Sequence, residues 1–374
     1  MPPVSSLIEL FPEDWSRLLE TWGEPRYRAR QIFRWIHQRG VMDAEEMTDL
    51  PLPLRRRLAT EGLSSPVTLA TTFASPDGTQ KLLFALEDQA NIESVLIPPF
   101  ANDEATPDGW VTQCVSSQVG CALGCVFCAS GVAGFGRHLS ASEIVAEVLL
   151  ARQQLQQGQT LRRLVFMGMG EPLHNYDALV RALRLLMHKD GLAFSPRRIT
   201  VSTSGLVPEI ERFGREFSGQ VQLAVSLHAP TDALRTELMP INKRYGIKAL
   251  TDALKRYPLS KRSRFTIEYI LIKGVNDTPA HAEQLARILR GLPVKINLIP
   301  MNSIASSSHR APPEETVDQF QTRLTSFHLS TFVRKQRGDD ISAACGQLAL
   351  LGTKPKKRPA SSPANAWTTA LANH

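Results

Sequence analysis

The sequence has no apolar run long enough to cross a bilayer. A membrane-spanning helix needs about 18 to 20 consecutive apolar residues, and no run in the 374 residues approaches that length. Residues 1–12 also lack the basic start and the apolar stretch of an export signal. We therefore expect a cytoplasmic protein that makes no contact with a membrane.

Cysteine is scarce, with five residues in the chain. An odd number in a long chain without an export signal favours metal binding or catalysis in a reducing compartment over a disulfide framework. Apolar residues make up 43% and charged residues 21% of the composition, which excludes a mostly disordered protein. A chain of 374 residues is longer than one hydrophobic core usually requires, so two or more structural units are expected.

The net charge of +7 is unevenly distributed, because Lys354, Lys356, Lys357 and Arg358 place +4 near the C-terminus. Residues 1–75 contain nine arginines and no lysine, and arginine suits phosphate recognition. Both regions are compatible with RNA binding. A solvated tail, and an N-terminal surface of salt bridges with the ten acidic residues of that stretch, are equally consistent with the sequence.

Periodicity predicts four regions. In residues 26–39, Ala29, Ile32, Phe33 and Ile36 recur at helical spacing, and residues 76–98 contain β-like runs before a polar loop at 100–110. The four predicted regions are a helical accessory domain that binds RNA (1–75), a β-rich extension (76–110), a catalytic core (111–350) and a basic disordered tail (351–374).

The core alternates short β-branched runs with helical stretches, one of which starts at the capping box formed by Ser140 and Glu143. This alternation predicts a parallel sheet with crossover helices, either a barrel or an open doubly wound sheet. In a barrel, the functional residues lie at the C-terminal ends of the strands.

Three cysteines, Cys121, Cys125 and Cys128, lie within eight residues in the string CALGCVFC. Structural zinc usually takes four protein ligands, and a 4Fe–4S cluster normally takes four thiolates. Three thiolates therefore leave one iron of such a cluster open to a substrate. The alternative is a zinc site completed by Cys114 or His138.

Polar residues and glycines follow several predicted strands. Glycine lets a ligand approach the backbone, and a carboxylate accepts hydrogen bonds from an ammonium group. Taken singly, a Gly, Ser or Asn in such a position is more commonly a turn former, and a lone histidine is more commonly structural. The occurrence of such residues at the ends of four predicted strands favours a ligand site. The residues are Gly170, Glu171, Ser202, Ser226, Leu227, His228 and Asn302.

Several strings together resemble the RlmN/Cfr family of radical S-adenosylmethionine (SAM) RNA methyltransferases. They include RYRARQIFRWIHQRG, CVSSQVGCALGCVFCASG, MGMGEP, STSG, SLHAP and RGDDISAACGQL, and the similarity covers about residues 20–350. The resemblance implies an α/β fold with a partial (βα)6 TIM-like barrel and a small helical N-terminal domain. It also implies that Cys121, Cys125 and Cys128 bind a 4Fe–4S cluster, and that the strand-end residues given above contact SAM.

The resemblance further implies three catalytic residues. Cys345 is the methyl carrier, Cys114 resolves it through a transient disulfide, and Glu93 matches the base that takes the proton from carbon 2 of adenine. The implied substrate is adenosine 2503 of 23S rRNA, and some members also act on adenosine 37 of certain tRNAs.

Cfr-type members of the family methylate carbon 8 of the same rRNA nucleotide, and that activity is the first alternative. The second, from another class, is a zinc-stabilised RNA-binding module without chemistry. We expect a monomer that receives its electrons from a donor such as a flavodoxin system.

Overall fold

The computed structural model describes residues 6–99, 109–304 and 307–348. Most of the predicted loop at 100–110 and the predicted tail at 351–374 lie outside these ranges. No helix within them combines the length and the apolar character that crossing a membrane requires.

The N-terminal unit is helical. The apolar stripe predicted for residues 26–39 is confirmed, because Ala29, Ile32, Phe33 and Ile36 are all buried. Its α-helices are α1 (Pro12–Thr21), α2 (Tyr27–Arg34), which continues as a π-helical turn over Trp35–Arg39, and α3 (Leu52–Thr60).

Arginines of α2 attach this unit to the rest of the chain. The guanidinium groups of Arg30 and Arg34 lie 3.3 and 2.8 Å from the Asp190 carboxylate, and the hydrogen bond from Arg34 lowers the pKa of Asp190. Arg26, in the turn before α2, pairs with Glu20. Of the two roles that the sequence left open for these arginines, RNA contact or surface salt bridges, the structure therefore shows salt bridges.

Three antiparallel strands follow: β1 (Val67–Ala74), β2 (Gln80–Leu86) and β3 (Asn91–Ile97). The first begins inside the range predicted to be helical, so β structure starts earlier than expected. Val67 is the one buried residue of β1, which pairs only with β2 at the edge of the sheet.

The core begins with strand β4 (Trp110–Cys114), which pairs antiparallel with β3. A two-stranded ribbon, β5 (Gln118–Gly120) and β6 (Phe135–His138), encloses the short helix α4 (Ala129–Ala133). Helix α5 (Ala141–Gln153) then starts at the predicted capping box. The Ser140 hydroxyl accepts from the Glu143 N–H at 3.1 Å, and the Glu143 carboxylate accepts from the Ser140 N–H at 2.8 Å.

Strands and helices alternate through the rest of the core. The further strands are β7 (Thr160–Phe166), β8 (Ile199–Thr203), β9 (Gln222–Ser226), β10 (Phe265–Leu271), β11 (Val294–Pro300) and β12 (Ser330–Val333). The helices between them are α6 (Tyr176–Met187), α7 (Val207–Phe217), α8 (Asp232–Leu238), α9 (Ile247–Arg256), α10 (Pro279–Ile288) and α11 (Glu314–Ser326).

The strands form one ten-stranded sheet in the order β1-β2-β3-β4-β7-β8-β9-β10-β11-β12. Every neighbouring pair from β4 to β12 is parallel. Six strand–helix units and a final strand thus confirm the partial barrel behind a small helical domain. Parallel strands place all their C-terminal ends at one edge, where a barrel carries its site.

Candidate active site

Two cavities open at the C-terminal ends of the parallel strands. The inner cavity is lined by nine of the site residues predicted from sequence: Cys121, Cys125, Cys128, Gly170, Glu171, Ser202, Ser226, His228 and Cys345. The outer cavity is lined by Cys114, Asn302, Cys128 and Cys345, together with Arg163, Arg334, Lys335 and Arg337. Because Cys128 and Cys345 line both, the two cavities adjoin at these thiols.

Main-chain contacts fix both ends of the loop that carries Cys121, Cys125 and Cys128. The Cys121 N–H donates to the Gly134 carbonyl at 2.9 Å, and a Cβ on Gly120 would lie 1.9 Å from that carbonyl oxygen, so glycine is required there. At the other end of the loop, the Ala129 N–H donates to the Gly346 carbonyl at 2.7 Å. The cluster loop and the segment that carries Cys345 therefore pack directly against each other.

The three loop thiols fit a bound iron–sulfur cluster in their chemistry. Burial raises the pKa of Cys121 to about 12 and also raises those of Cys125 and Cys128, with a further rise from the neighbouring thiols. Coordination to a cationic centre deprotonates such thiols. Among the described residues, no three His, Cys, Asp or Glu side chains form a group that would hold a single metal ion. The fit therefore rests on the cavity that the thiols share and on their chemistry.

Glu171 lies at the floor of the inner cavity and is buried. One carboxylate oxygen accepts from the N–H and the hydroxyl of Ser204 at 2.8 and 2.7 Å, and the other accepts from the Leu173 N–H at 3.2 Å. A carboxylate has about four acceptor sites and forms charge-assisted hydrogen bonds with ammonium groups, so Glu171 has the chemistry to receive such a donor. Burial raises its pKa, and the Ser204 hydrogen bonds oppose that rise.

Gly170 lets the turn before Glu171 pack closely against Gln118. Its φ of +103° lies in the region that favours glycine, and a Cβ there would be 2.6 Å from the Gln118 side chain. The same Gln118 accepts from the Glu171 N–H at 2.8 Å. Gln118 of β5 therefore supports the turn that carries Glu171.

His228 has a φ of +57°, which is uncommon for a residue with a side chain. Its Nδ1 accepts from the Ile270 N–H at 3.0 Å, so the ring proton is on Nε2. Burial lowers the His228 pKa to about 3, and the ring packs edge-on against Phe127 at 4.7 Å. His228 is thus a neutral donor at the cavity wall.

The segment that carries Cys345 is anchored on two sides. On one side, the Asn302 amide donates to the Cys345 carbonyl at 2.9 Å. On the other, Asp77, in the turn between β1 and β2, accepts from the Gly338 N–H at 3.0 Å, and the Ser75 hydroxyl donates to Asp340 at 2.7 Å. The strands added before the barrel thereby hold the loop that follows its last strand.

Cys114 ends β4 and is buried at the wall of the outer cavity, and burial raises its pKa. It and Cys345 are both free thiols. Glu93 does not line either cavity: it lies in β3 with its carboxylate 3.2 Å from the Lys81 ammonium. Since Val95 pairs with Cys114, Glu93 projects from the same sheet face as Cys114.

The side chain of Leu227, another predicted site residue, packs in the hydrophobic core and lines neither cavity. Its N–H donates to the Glu268 carbonyl at 3.1 Å, and its carbonyl accepts from the buried Arg235 guanidinium at 3.2 Å. The structure therefore places Leu227 as a link between two residues of the wall, Ser226 and His228.

Sequence reasoning missed three residues of the site, namely Ser204, Glu268 and Arg334. Ser204 stands in the STSG string from which only Ser202 was selected. Glu268 was left undecided because a period of two does not say which face of a strand is inside. In the structure it lines the inner cavity, in register with Ser226 on the adjacent strand.

Comparison with known proteins adds an independent line of support. Residues 115–286 match the Radical SAM superfamily, and residues 6–62 match the ribosomal RNA large subunit methyltransferase N-terminal domain. The dual-specificity RNA methyltransferase RlmN of Sorangium cellulosum is 54% identical over 379 residues, covering 94% of this chain and 97% of that protein. The chain belongs to the RlmN family of radical SAM RNA methyltransferases.

Other relatives are similar to this chain over comparable lengths. The dual-specificity RNA methyltransferase RlmN of Geobacter sulfurreducens is 48% identical, with 90% of this chain and 89% of that protein covered. A crystal structure of a radical SAM methyltransferase from Sphaerobacter thermophilus is 47% identical and has a TM-score of 0.86, covering 92% of this chain and 98% of that one. As a radical SAM methyltransferase, the protein uses a 4Fe–4S cluster and SAM, both of which the inner cavity suits.

Proposed function

We propose that this protein methylates carbon 2 of adenosine 2503 in 23S rRNA and of adenosine 37 in certain tRNAs, through an S-methylated Cys345. The observation that carries the proposal is the position of Cys345, which lines the inner and the outer cavity at once. A group that accepts a methyl from SAM on one side and delivers it to RNA on the other needs this position. The dual-specificity names of the relatives support two RNA substrates.

A carrier is chemically necessary because carbon 2 of adenine is electron-poor and does not attack a sulfonium methyl directly. The Cys345 thiolate is a sufficient nucleophile for that displacement. Cys121, Cys125 and Cys128 would hold the cluster, which when bound would supply the electron for cleavage of a second SAM and hence the radical chemistry that activates the methyl group on Cys345. The remaining steps belong to side chains of this chain.

In the inner cavity, Glu171 holds the SAM amino group, and Ser202, Ser226 and His228 are the polar groups around the rest of the molecule. The Nε2–H of His228 is a donor that stays neutral at physiological pH, because burial has lowered its pKa to about 3. Asn302 orients the Cys345 backbone by its hydrogen bond to the carbonyl. These groups fix the ligand and the carrier relative to each other.

In the outer cavity, the Cys114 thiolate attacks the sulfur of Cys345 while that sulfur is still bonded to the methylene carbon on the base. The sulfur–carbon bond breaks, the carbon takes a proton to become the methyl group, and formation of the disulfide frees the RNA. Glu93 is the proposed acceptor of the proton from carbon 2. It lies outside both cavities, two residues along β3 from Val95, the partner of Cys114, and its carboxylate is 3.2 Å from the Lys81 ammonium. We also propose that the protein is a cytoplasmic monomer that receives electrons from a flavodoxin-type donor.

The test of substrate and position is reconstitution with iron and sulfide in the absence of oxygen, followed by reaction with protein-free 23S rRNA and SAM. Mass spectrometry of the RNA should find 2-methyladenosine at position 2503. Finding 8-methyladenosine would assign the Cfr-type activity. Tightly bound zinc with no SAM cleavage would instead assign an RNA-binding module.

The test of the carrier compares two cysteine variants. Cys345→Ala should cleave SAM but transfer no methyl to RNA, and efficient methylation by it would remove the carrier role. Cys114→Ala should accumulate protein crosslinked to RNA, because the thiol that frees the product is missing. Normal turnover without an adduct would show that Cys114 does not resolve it.

A further inference from the structure

The ring of Phe332 differs from those of the other exposed phenylalanine and tyrosine residues. Among the described residues, the exposed ones are Tyr27, Phe73, Phe135, Phe327 and Phe332. Each of the first four has an arginine, lysine or histidine side chain against its ring. Within the described ranges Phe332 has no such partner, and it is 57% exposed. Single exposed apolar residues are common, so the position of this ring has to decide whether it has a function.

Phe332 lies in β12 and lines the outer cavity. The Arg334 N–H donates to the Leu298 carbonyl at 2.8 Å, so the strand pairing continues to Arg334. Residues two apart on a strand project to the same face, about 7 Å from each other. Arg334 lines both cavities, as Cys345 does. The exposed ring is therefore close to the methyl carrier, on the outer-cavity side.

The outer cavity is positively charged. Four basic side chains line it, and none of the described residues in its lining is Asp or Glu; the four are Arg163, Arg334, Lys335 and Arg337. Arg163 is exposed in β7, and four strands separate β7 from β12 in the sheet, so it belongs to a different wall from Phe332. A cavity with cations and no carboxylate favours a polyanion such as RNA.

We propose that Phe332 is a stacking platform for an RNA base next to the methylated adenine, and that Arg163 contacts the RNA phosphate backbone. The inference rests on the proposed function, in which the outer cavity receives RNA. Enzymes that modify a base take it out of the stack, and the adjacent base then loses a stacking partner. An aromatic side chain can replace that partner, because every base has a flat π-face.

The second large aromatic side chain in the lining is less available for this role. The guanidinium carbon of Arg198 lies 4.3 Å from the centre of the Trp110 ring, so one face of that ring is already occupied. A protein partner that buried Phe332 would also bury the neighbouring cations, which is costly unless they are paired. The RNA backbone supplies the paired charge, so RNA suits this surface better than an apolar protein partner.

The two residues should affect RNA binding in different ways. Phe332→Ala should weaken binding by about 5- to 150-fold, the range expected for loss of one base–aromatic stack. Because stacking releases no counterions, the slope of log affinity against log salt concentration should not change. Arg163→Ala should weaken binding and reduce that slope by about one, since it removes one phosphate contact.

The experiment measures fluorescence anisotropy of a labelled RNA hairpin with the sequence around adenosine 2503, titrated with full-length reconstituted protein in the absence of oxygen. Phe332→Tyr keeps the ring and should bind like wild type, whereas Phe332→Leu keeps apolar bulk and should bind as weakly as Phe332→Ala. The matched controls are Phe327→Ala and Arg162→Ala, because Phe327 and Arg162 do not line the outer cavity. Thermal unfolding verifies that each variant is folded.

Two further hairpins identify the stacked base, each with an abasic nucleotide on one side of adenosine 2503. One of them should bind wild type about as weakly as the intact hairpin binds Phe332→Ala, and Phe332→Ala should lose little more affinity for it. Such a failure of additivity shows that ring and base interact directly. Additive losses with both abasic hairpins would overturn the platform.

Full affinity of folded Phe332→Ala overturns the proposal, as does equal weakening by Phe327→Ala. Full affinity of Phe332→Leu would show apolar contact without stacking, and this comparison with Phe332→Tyr decides the question if Phe332→Ala does not fold. An unchanged salt slope in Arg163→Ala removes the phosphate contact. RNA methylation by wild type is measured in parallel: binding without methylation contradicts the proposed function, whereas methylation by wild type with unweakened binding by Phe332→Ala contradicts this inference alone.

Discussion

The hydroxyl of Ser204 should control SAM affinity through Glu171. It donates at 2.7 Å to the same carboxylate oxygen that the Ser204 N–H reaches at 2.8 Å. Ser204→Ala removes the first of these bonds and keeps the second. A hydrogen bond to a charged group contributes about 1.5–3 kcal/mol. If that contribution is transferred to SAM binding, the dissociation constant should rise by about 10- to 150-fold.

The effect should depend on pH in a defined direction. Burial raises the pKa of Glu171, whereas its hydrogen-bond donors lower it, so losing one donor raises the pKa further. An ammonium group binds the ionised carboxylate, which exists above the pKa and is lost as the pH falls through it. SAM binding by the variant should therefore fail at a higher pH than binding by the wild type.

Anaerobic equilibrium dialysis with labelled SAM, on reconstituted protein without reductant, measures both quantities. Ser140→Ala is the matched control, because it removes a capping hydroxyl that does not line the cavity, at a cost of about 1 kcal/mol in folding stability. The control should bind SAM normally. An unchanged dissociation constant in Ser204→Ala across the pH range would refute the assignment of Glu171 as the group that holds the SAM amine.

Three further predictions concern stability and positioning. Asp77→Ala removes the acceptor of the Gly338 N–H and should speed amide exchange in residues 338–345 more than Asp77→Asn does; equal protection in both would show that the β1–β2 turn does not hold this segment. Deleting residues 353–374 should leave Cys345 methylation intact and at most weaken RNA binding, so a dead truncation would contradict the tail assignment. Phe33→Ala removes a fully buried ring and should reduce the free energy of unfolding by about 3–5 kcal/mol, which an unshifted urea midpoint would contradict.

Patterns that depend on neighbouring residues were predicted well. The stripe in α2, the capping box at Ser140 and the alternation of the core are local, because helix and strand periodicities act over a few residues. The three cysteines are close in the fold for the same reason, since eight residues of loop cannot separate them widely.

Features that depend on which distant segment packs against a helix or strand were predicted poorly. Strand β1 is mostly exposed at the edge of the sheet, and its start at Val67 lies inside the region predicted to be helical. Arg30 and Arg34 were equally consistent with RNA contact and with salt bridges, and Asp190, which decides between them, comes about 160 residues later in the chain. The orientation of Glu268 was left undecided because only the sheet shows which face of a strand forms the cavity wall.

The order of amino acids alone determined the local chemistry: three thiols in one short loop, a carboxylate after two glycines, and strands that end in polar residues. Only the tertiary structure decided which of these groups share a cavity, because parallel strand register and helix packing join residues that are far apart in the chain. It placed Cys345 in the lining of both cavities and set the Glu93 carboxylate beside the Lys81 ammonium. Those arrangements depend on contacts between distant segments, and no single stretch of sequence encodes them.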